Sequence, residues 1–254
     1  MKIVISPAKS LFNECPVQFK EHSIPVFLNE SEKIIRKLQK LTPEKIAGLM
    51  NISQPLAQLN YNRFQNWEFS ASPTNGWQAV FMFNGDVYQG LKATTMTEEE
   101  LYLAQEKIRI LSGVYGLLKP LDLIQPYRLE MGTALAIGQE KDLYAFWQHT
   151  ITTELNNELS KEHEPTLINL ASVEYFSAID TKKLKARLIT PTFKEQKNGQ
   201  YKIVSFFAKK ARGLMSRFII QNKINDPENI KAFDLDGYYF NNNLSKGDNW
   251  VFTR

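Results

Sequence analysis

The sequence predicts an α/β protein, a single compact domain over residues 1–254 in which helices surround a mixed β-sheet core, and three observations carry that expectation. Short apolar runs of strand length alternate with stretches whose apolar residues recur at helical spacing. Lys197-Asn198-Gly199 sits between two strand-like runs, the composition of a tight antiparallel hairpin. No repeat, low-complexity linker or composition break divides the chain, and its 43% hydrophobic content suffices for one sizeable core.

Lys2 to Ser6 reads as a short buried strand stopped by Pro7, followed by an irregular stretch to about Phe27. Asn29 to Leu41 places Ile34, Ile35, Leu38 and Leu41 at helical spacing. Thr42-Pro43-Glu44-Lys45 joins a capping hydroxyl to proline at the first helical position and opens a helix to Met50. Ser53-Gln54-Pro55 opens another towards Trp67. Ala79 to Phe83 is an apolar run of strand length that ends at Asn84-Gly85-Asp86. Thr97-Glu98-Glu99-Glu100 starts a helix with its acids at the positive end of the dipole, ending near Leu111. Leu111 to Leu118 follows, closed by Lys119-Pro120. Asp142 to Leu159 is a long amphipathic helix, Thr166 to Leu170 a strand, and Leu184 to Phe193 with Tyr201 to Phe206 the hairpin. A basic helix comes next, Asp226-Pro227 starts a short helix, and Asn249 to Thr253 closes a sheet.

Composition excludes several classes. The N-terminal apolar run is too short for a signal peptide, and no stretch approaches the ~20 apolar residues of a membrane span, so a cytoplasmic protein without membrane association is expected. The one cysteine, Cys15, suits a reducing compartment. His22, His149 and His163 are scattered outside any CxxC or HExxH pattern, and neither GxxxxGK(S/T) nor GxGxxG occurs, so no metal site or cofactor is expected.

Charge is the most uneven property of the chain. Thr181 to Arg217 carries eleven Lys or Arg and one acid, a local +10 in a chain of net +4, leaving the remainder at −6. Such a concentration is the footprint of a protein that meets a polyanion, although an ordinary solvated face produces charge runs too. Within the window, Phe207, Ala211, Leu214, Met215 and Phe218 share one arc of a helix. Lys209, Lys210, Arg212 and Arg217 take the other, with Gly213 and Ser216 among them to admit a phosphate close to the backbone. Gly213 costs roughly 1 kcal/mol against Ala inside a helix, which either close packing or close ligand approach would explain.

Several blocks together resemble the bacterial YaaA family of peroxide stress resistance proteins. They are Ser6-Pro-Ala-Lys9, Phe83-Asn-Gly-Asp-Val-Tyr-Gln-Gly-Leu91, the run from Leu111 to Gly132, Asn169-Leu-Ala-Ser-Val-Glu-Tyr-Phe176 and Ala208-Lys-Lys-Ala-Arg-Gly-Leu-Met-Ser-Arg217. The resemblance spans essentially the whole chain. It implies a cytoplasmic α/β protein with a positively charged cleft and a helix-hairpin-helix element, binding to DNA, protection against hydrogen peroxide and an effect on intracellular free iron. Leu111-Ser-Gly-Val-Tyr-Gly has the hydrophobic-Gly-hydrophobic composition by which a helix-hairpin-helix offers backbone N–H groups to phosphate, and equally that of a Gly-capped helix end.

Ser6, Lys9, Arg128, Glu130, Ser172 and Glu174 form a candidate pocket, because Ser-Pro-Ala-Lys and Asn-Leu-Ala-Ser each follow an apolar strand, where α/β proteins place ligands. Alternatively Arg128 and Glu130 are a buried ion pair and Ser172 a helix cap. The leading expectation is a protein that holds duplex or branched DNA through phosphates with little base readout, using Lys9, Arg128, Lys209, Lys210, Arg212 and Arg217. The alternative is an enzyme acting on a nucleobase or nucleotide through Lys9, Arg128, Glu130 and Glu174, with its catalytic groups otherwise unassigned.

Overall fold

In the computed structural model, which describes residues 1–17 and 19–254, the chain opens with β1 (Lys2–Ile5) and the two-residue β2 (Ser10–Leu11). Three helices follow, α1 (Leu28–Leu38), α2 (Pro43–Met50) and α3 (Gln54–Gln65), with Thr42 capping α2 through Lys45 N at 3.4 Å. β3 (Trp77–Gln78), the single helical turn α4 (Ala79–Met82), β4 (Phe83–Asn84) and α5 (Asp86–Leu91) lead to α6 (Glu98–Lys107). There Thr97 and Glu100 close a reciprocal capping box. β5 (Ile108–Ser112), β6 (Gly116–Leu118) and β7 (Leu123–Ile124) precede α7 (Leu143–Leu159), whose cap Asp142 accepts from Ala145 N at 2.8 Å. The remaining elements are β8 (Thr166–Leu170), α8 (Val173–Phe176), β9 (Arg187–Lys197), β10 (Gln200–Lys202), α9 (Ser205–Gln221), β11 (Tyr239–Phe240) and β12 (Asn249–Thr253).

One mixed sheet organises the core, in the order β11-β12-β9-β8-β1-β5-β6, with β10 paired to the far end of β9. β12, β9, β8, β1 and β5 pair in parallel, whereas β6, β10 and β11 add antiparallel partners. β1, β5 and β8 are buried at every residue, so apolar side chains dominate both of their faces and the polar ones among them, Lys2, Arg109, Ser112, Thr166 and Asn169, are buried too. β9 is the longest strand and changes partners along its length. It pairs with β8 up to Ile189, with β12 from Thr190 to Lys194, and with β10 from Glu195 to Lys197.

Three segments depart from the expected elements, one of them the second hairpin strand, which ends at Lys202 and gives way to α9 at Ser205 rather than running to Phe206. Ala79 to Phe83 is a buried helical turn followed by a short strand, because Ala79 N and Val80 N donate to Asp122 O and Pro120 O at 2.9 Å and tie the run to a neighbouring loop. A short apolar run carries no periodicity that separates a buried strand from a buried helix. The helix begun at Thr97 ends at Lys107 rather than near Leu111, and Leu111 to Gly116 is the turn of a β-hairpin, not of a helix-hairpin-helix. Ile108, Ile110 and Leu111 fill the sheet interior, and Ser112 Oγ accepts Tyr115 N at 2.9 Å inside the turn. Trp147 Nε1 donates to Gly113 O at 3.0 Å, and its ring lies against Gly116, which adopts φ +67°. The hairpin is thus enclosed by the core and turns no backbone amide to a phosphate.

α5 and α9 cross with their backbones in contact. A Cβ on Gly213 would stand 1.8 Å from Val87 O, and one on Gly90 would stand 2.2 Å from Lys210 O. Close packing therefore accounts for Gly213, and the buried Ser216 lies on the same packed side. Gly213→Ala is expected to lower stability in urea unfolding by at least about 2 kcal/mol, since backbone atoms cannot yield as a side chain does. Gly48→Ala in α2, where a Cβ meets nothing within 4 Å, is expected to be neutral or to stabilise by up to about 1 kcal/mol.

Candidate functional site

The chain leaves β1 for β5 on one side of the sheet and leaves β8 for β9 on the other, so the strand order reverses between β1 and β8. A crevice beyond the carboxyl ends of such a pair is the place where open α/β sheets bind ligands. Here the two following loops are stitched together. Ser172 N donates to Ser6 Oγ at 2.8 Å, Ser6 Oγ reaches Ser172 Oγ at 3.3 Å, and the buried Tyr88 hydroxyl donates to Ser6 O at 3.2 Å. Asn169 Oδ1 accepts Ala171 N at 3.0 Å and tightens the exit from β8, while Ser172 caps α8 through Tyr175 N at 3.4 Å. Ser172 is therefore both the helix cap and a wall of the site.

A cavity of about 430 Å³ opens at this point, lined by Ser6, Lys9, Asn84, Asp86, Tyr88, Ser172, Glu174, Tyr175, Lys209 and Arg212 among others. Four of the six expected pocket residues line it. Glu130 lies alongside and ties two cations together, with Oε2 2.6 Å from Lys9 Nζ and Oε1 3.2 Å from Arg128 Nη2. Arg128 sits behind this bridge rather than on the wall, its Nε buried without a hydrogen-bond partner among the described residues. The ion pair read as an alternative from the sequence is thus present, extended to Lys9. Glu174 Oε1 accepts from Gly132 N at 3.1 Å, which fixes that carboxylate at the rim.

Arg212 is the charge that stands out. Its guanidinium has no carboxylate within ion-pairing distance among the described residues, and burial pushes its pKa below the ordinary arginine range. Burial likewise pushes the Tyr88 phenol well above its usual value, so that residue faces the cavity as a neutral hydroxyl. Lys209 lies one turn before Arg212 on the same side of α9. The wall carries three cations, Lys9, Lys209 and Arg212, and two carboxylates, Asp86 and Glu174. That mixture suits a ligand with an anionic group and hydrogen-bond donors of its own, better than a featureless polyanion.

Two of the residues expected to contact phosphate are engaged by partners within the chain. Arg217 Nη1 donates to Leu91 O and Lys92 O at 3.0 and 2.8 Å, satisfying carbonyls at the end of α5. Lys210 Nζ lies 3.3 Å from Asp236. Elsewhere in the basic window Arg187 pairs with Asp248 and Glu228, at 2.7 and 3.0 Å. Sequence reasoning passed over Asn84, Asp86 and Tyr88 as site residues, although an Asn-Gly-Asp turn directly after an apolar run marks a loop at the edge of the core. The turn Asn51-Ile52-Ser53 joins α2 to α3. Asn51 is left-handed at φ 51°, Ile52 N donates to Ala47 O at 3.1 Å, and Ser53 makes no side-chain cap to α3.

No helix among the described residues is long and apolar enough to cross a membrane, and no group of three or more His, Cys, Asp or Glu is placed there to hold a metal ion. Residues 1–244 match the family model described as peroxide stress protein YaaA. Over 254 residues the chain is 53% identical to a UPF0246 protein of Colwellia psychrerythraea, covering 100% of this chain and 99% of that one. It is 51% identical to one from Neisseria meningitidis and 52% identical to one from Aliivibrio fischeri, in both cases over 100% of this chain and 98% of the relative. With its crevice loops, its basic helix and every strand of the sheet but β12 inside the span matched by the family model, the chain belongs to the peroxide stress protein YaaA family.

Proposed function

We propose that this protein acts in the cytoplasm as a DNA-binding member of the peroxide stress family, and that it holds a strand at the β1/β8 crevice. The observation that carries the reading is Arg212, a guanidinium partly withdrawn from water at a cavity wall without a carboxylate partner. A desolvated cation is costly unless an anion reaches it, and a phosphate is the anion whose geometry a guanidinium fork matches. Lys209 would neutralise a neighbouring phosphate, and the exposed Lys9 another on exchanging Glu130 for it. The turn between α2 and α3 supports a second contact of helix-hairpin-helix type, since the exposed first turn of α3 leaves backbone N–H groups facing solvent. An effect on intracellular free iron, which the family resemblance implies, belongs to the same proposal.

A second reading, an enzyme acting on a nucleobase or nucleotide, is favoured by the two carboxylates and paired serines at the strand switch, a donor and acceptor set suited to a base edge. It is distinguished by turnover, as a base or nucleotide product released from DNA and detected by mass spectrometry.

Titration of labelled duplex and four-way junction across a salt series tests the binding. Three phosphate contacts give log affinity a slope against log salt of roughly −3, and K209A/R212A is expected to weaken binding and reduce that slope by about two units. Unchanged affinity in the folded double variant would sink the proposal. Arg217→Ala is expected to leave the slope unaltered and to destabilise the fold by about 1–2 kcal/mol in thermal unfolding, because it strips charge-assisted hydrogen bonds from carbonyls that end α5.

A further inference from the structure

The first turn of α9 carries two phenylalanines that the core does not take up. Phe206 is 52% exposed and lies about 160° around the helix from the buried Ala208, off the stripe formed by Ala211, Met215 and Ile219. Phe207 meets it edge to face at 5.5 Å and is backed by the Arg254 guanidinium, 4.6 Å from the ring. Arg254 is itself held by Glu195 at 2.8 Å and Asp236 at 2.9 Å, so the base of the aromatic pair is rigid. Ile203 and Val204 extend the exposed apolar surface along the chain just before the helix. Lys209, one turn beyond Phe206, lines the crevice, and Val173, 84% exposed, lies between Ser172 and Glu174 of the same crevice.

Charge says what covers this surface. From Gln196 to Asn225 the chain has seven Lys or Arg and no acid. A second copy docked about a two-fold axis would set these lysines against themselves, and an apolar peptide would leave them unused. Aromatic faces interleaved with cations suit a partner with flat apolar faces joined by phosphates, and in a duplex those faces are hidden by stacking. We propose that Phe206, supported by Phe207, is a stacking platform for an unpaired nucleobase of a DNA strand whose phosphates run on to Lys209 and Arg212. This rests on the strand-binding reading above and adds to it a preference for single-stranded or unpaired segments over closed duplex.

Two labelled strands of equal length and equal phosphate count test it, an oligothymidylate and a strand of the same length in which every nucleoside is replaced by an abasic tetrahydrofuran. The base-bearing strand is expected to bind about tenfold more tightly, the ratio that one stacked base supplies. Phe206→Ala is expected to abolish that ratio while leaving the abasic strand's affinity unchanged. Phe206→Tyr should keep the ratio, and Phe206→Leu, which retains apolar bulk without a π face, should lose most of it. Thermal unfolding verifies that each variant folds, as the half-exposed ring allows. Equal affinity of the two strands for the unaltered protein would overturn the platform and leave phosphate binding standing. Failure of both strands to bind would remove the strand-binding reading and the platform with it. A dimer seen in sedimentation that F206A dissolves would assign the surface to a second copy and equally overturn the proposal.

Discussion

Backbone contact between α5 and α9 is the constraint on which the site depends. Gly90 and Gly213 present bare backbone to each other, so the two helices approach more closely than any side chain would permit. α5 begins at Asp86 on one wall of the crevice, and α9 supplies Lys209 and Arg212 on another. The approach thus sets the width of the cavity as well as the packing beneath it. Arg217 reinforces the same contact by closing the carbonyl end of α5 with a cation, as a helix C-terminus favours. A glycine that is unfavourable by helix propensity is here offset by the geometry it permits.

Folding redistributes charge that looks concentrated along the chain. The window from Thr181 to Arg217 holds +10 in sequence, yet Arg187, Lys210 and Lys183 face Asp248, Asp236 and Asp180 once folded. What remains at the crevice is a small number of cations beside two carboxylates. Such a site discriminates by arrangement rather than by field strength, because exposed charges beyond a Debye length of about 8 Å are screened at physiological salt. The depth of Arg212 matters more than the total.

Much of the framework was legible in the residues. Thr42-Pro43 and Thr97 with three glutamates announced their helices, because caps are local chemistry that the chain performs on itself. β1 and β8 were legible as buried strands, and so were Ser6, Lys9, Ser172 and Glu174 as neighbours at their ends, since loops after parallel strands converge wherever the strands are adjacent. Ala79 to Phe83 and Leu111 to Gly116 were misread because their conformation is decided by distant partners, the Pro120 to Asp122 loop and Trp147. The roles of Lys210 and Arg217 were hidden for the same reason. A helical wheel gives the direction of a side chain but not the acid or carbonyl that waits there.

The partner changes of β9 bear on how the protein is made. Its first residues dock on β8, but from Thr190 onward its other edge is covered only by β12, which is synthesised more than fifty residues later. Until the ribosome has released Asn249 to Thr253, β9 presents a row of unpaired amides and carbonyls beside an apolar face that includes Ile189 and Phe193. The crevice between β1 and β8 is complete before that edge is closed. A stalled or clipped chain would therefore carry its crevice loops together with an open strand edge, so protection against edge-to-edge pairing rests on the last strand rather than on the crevice.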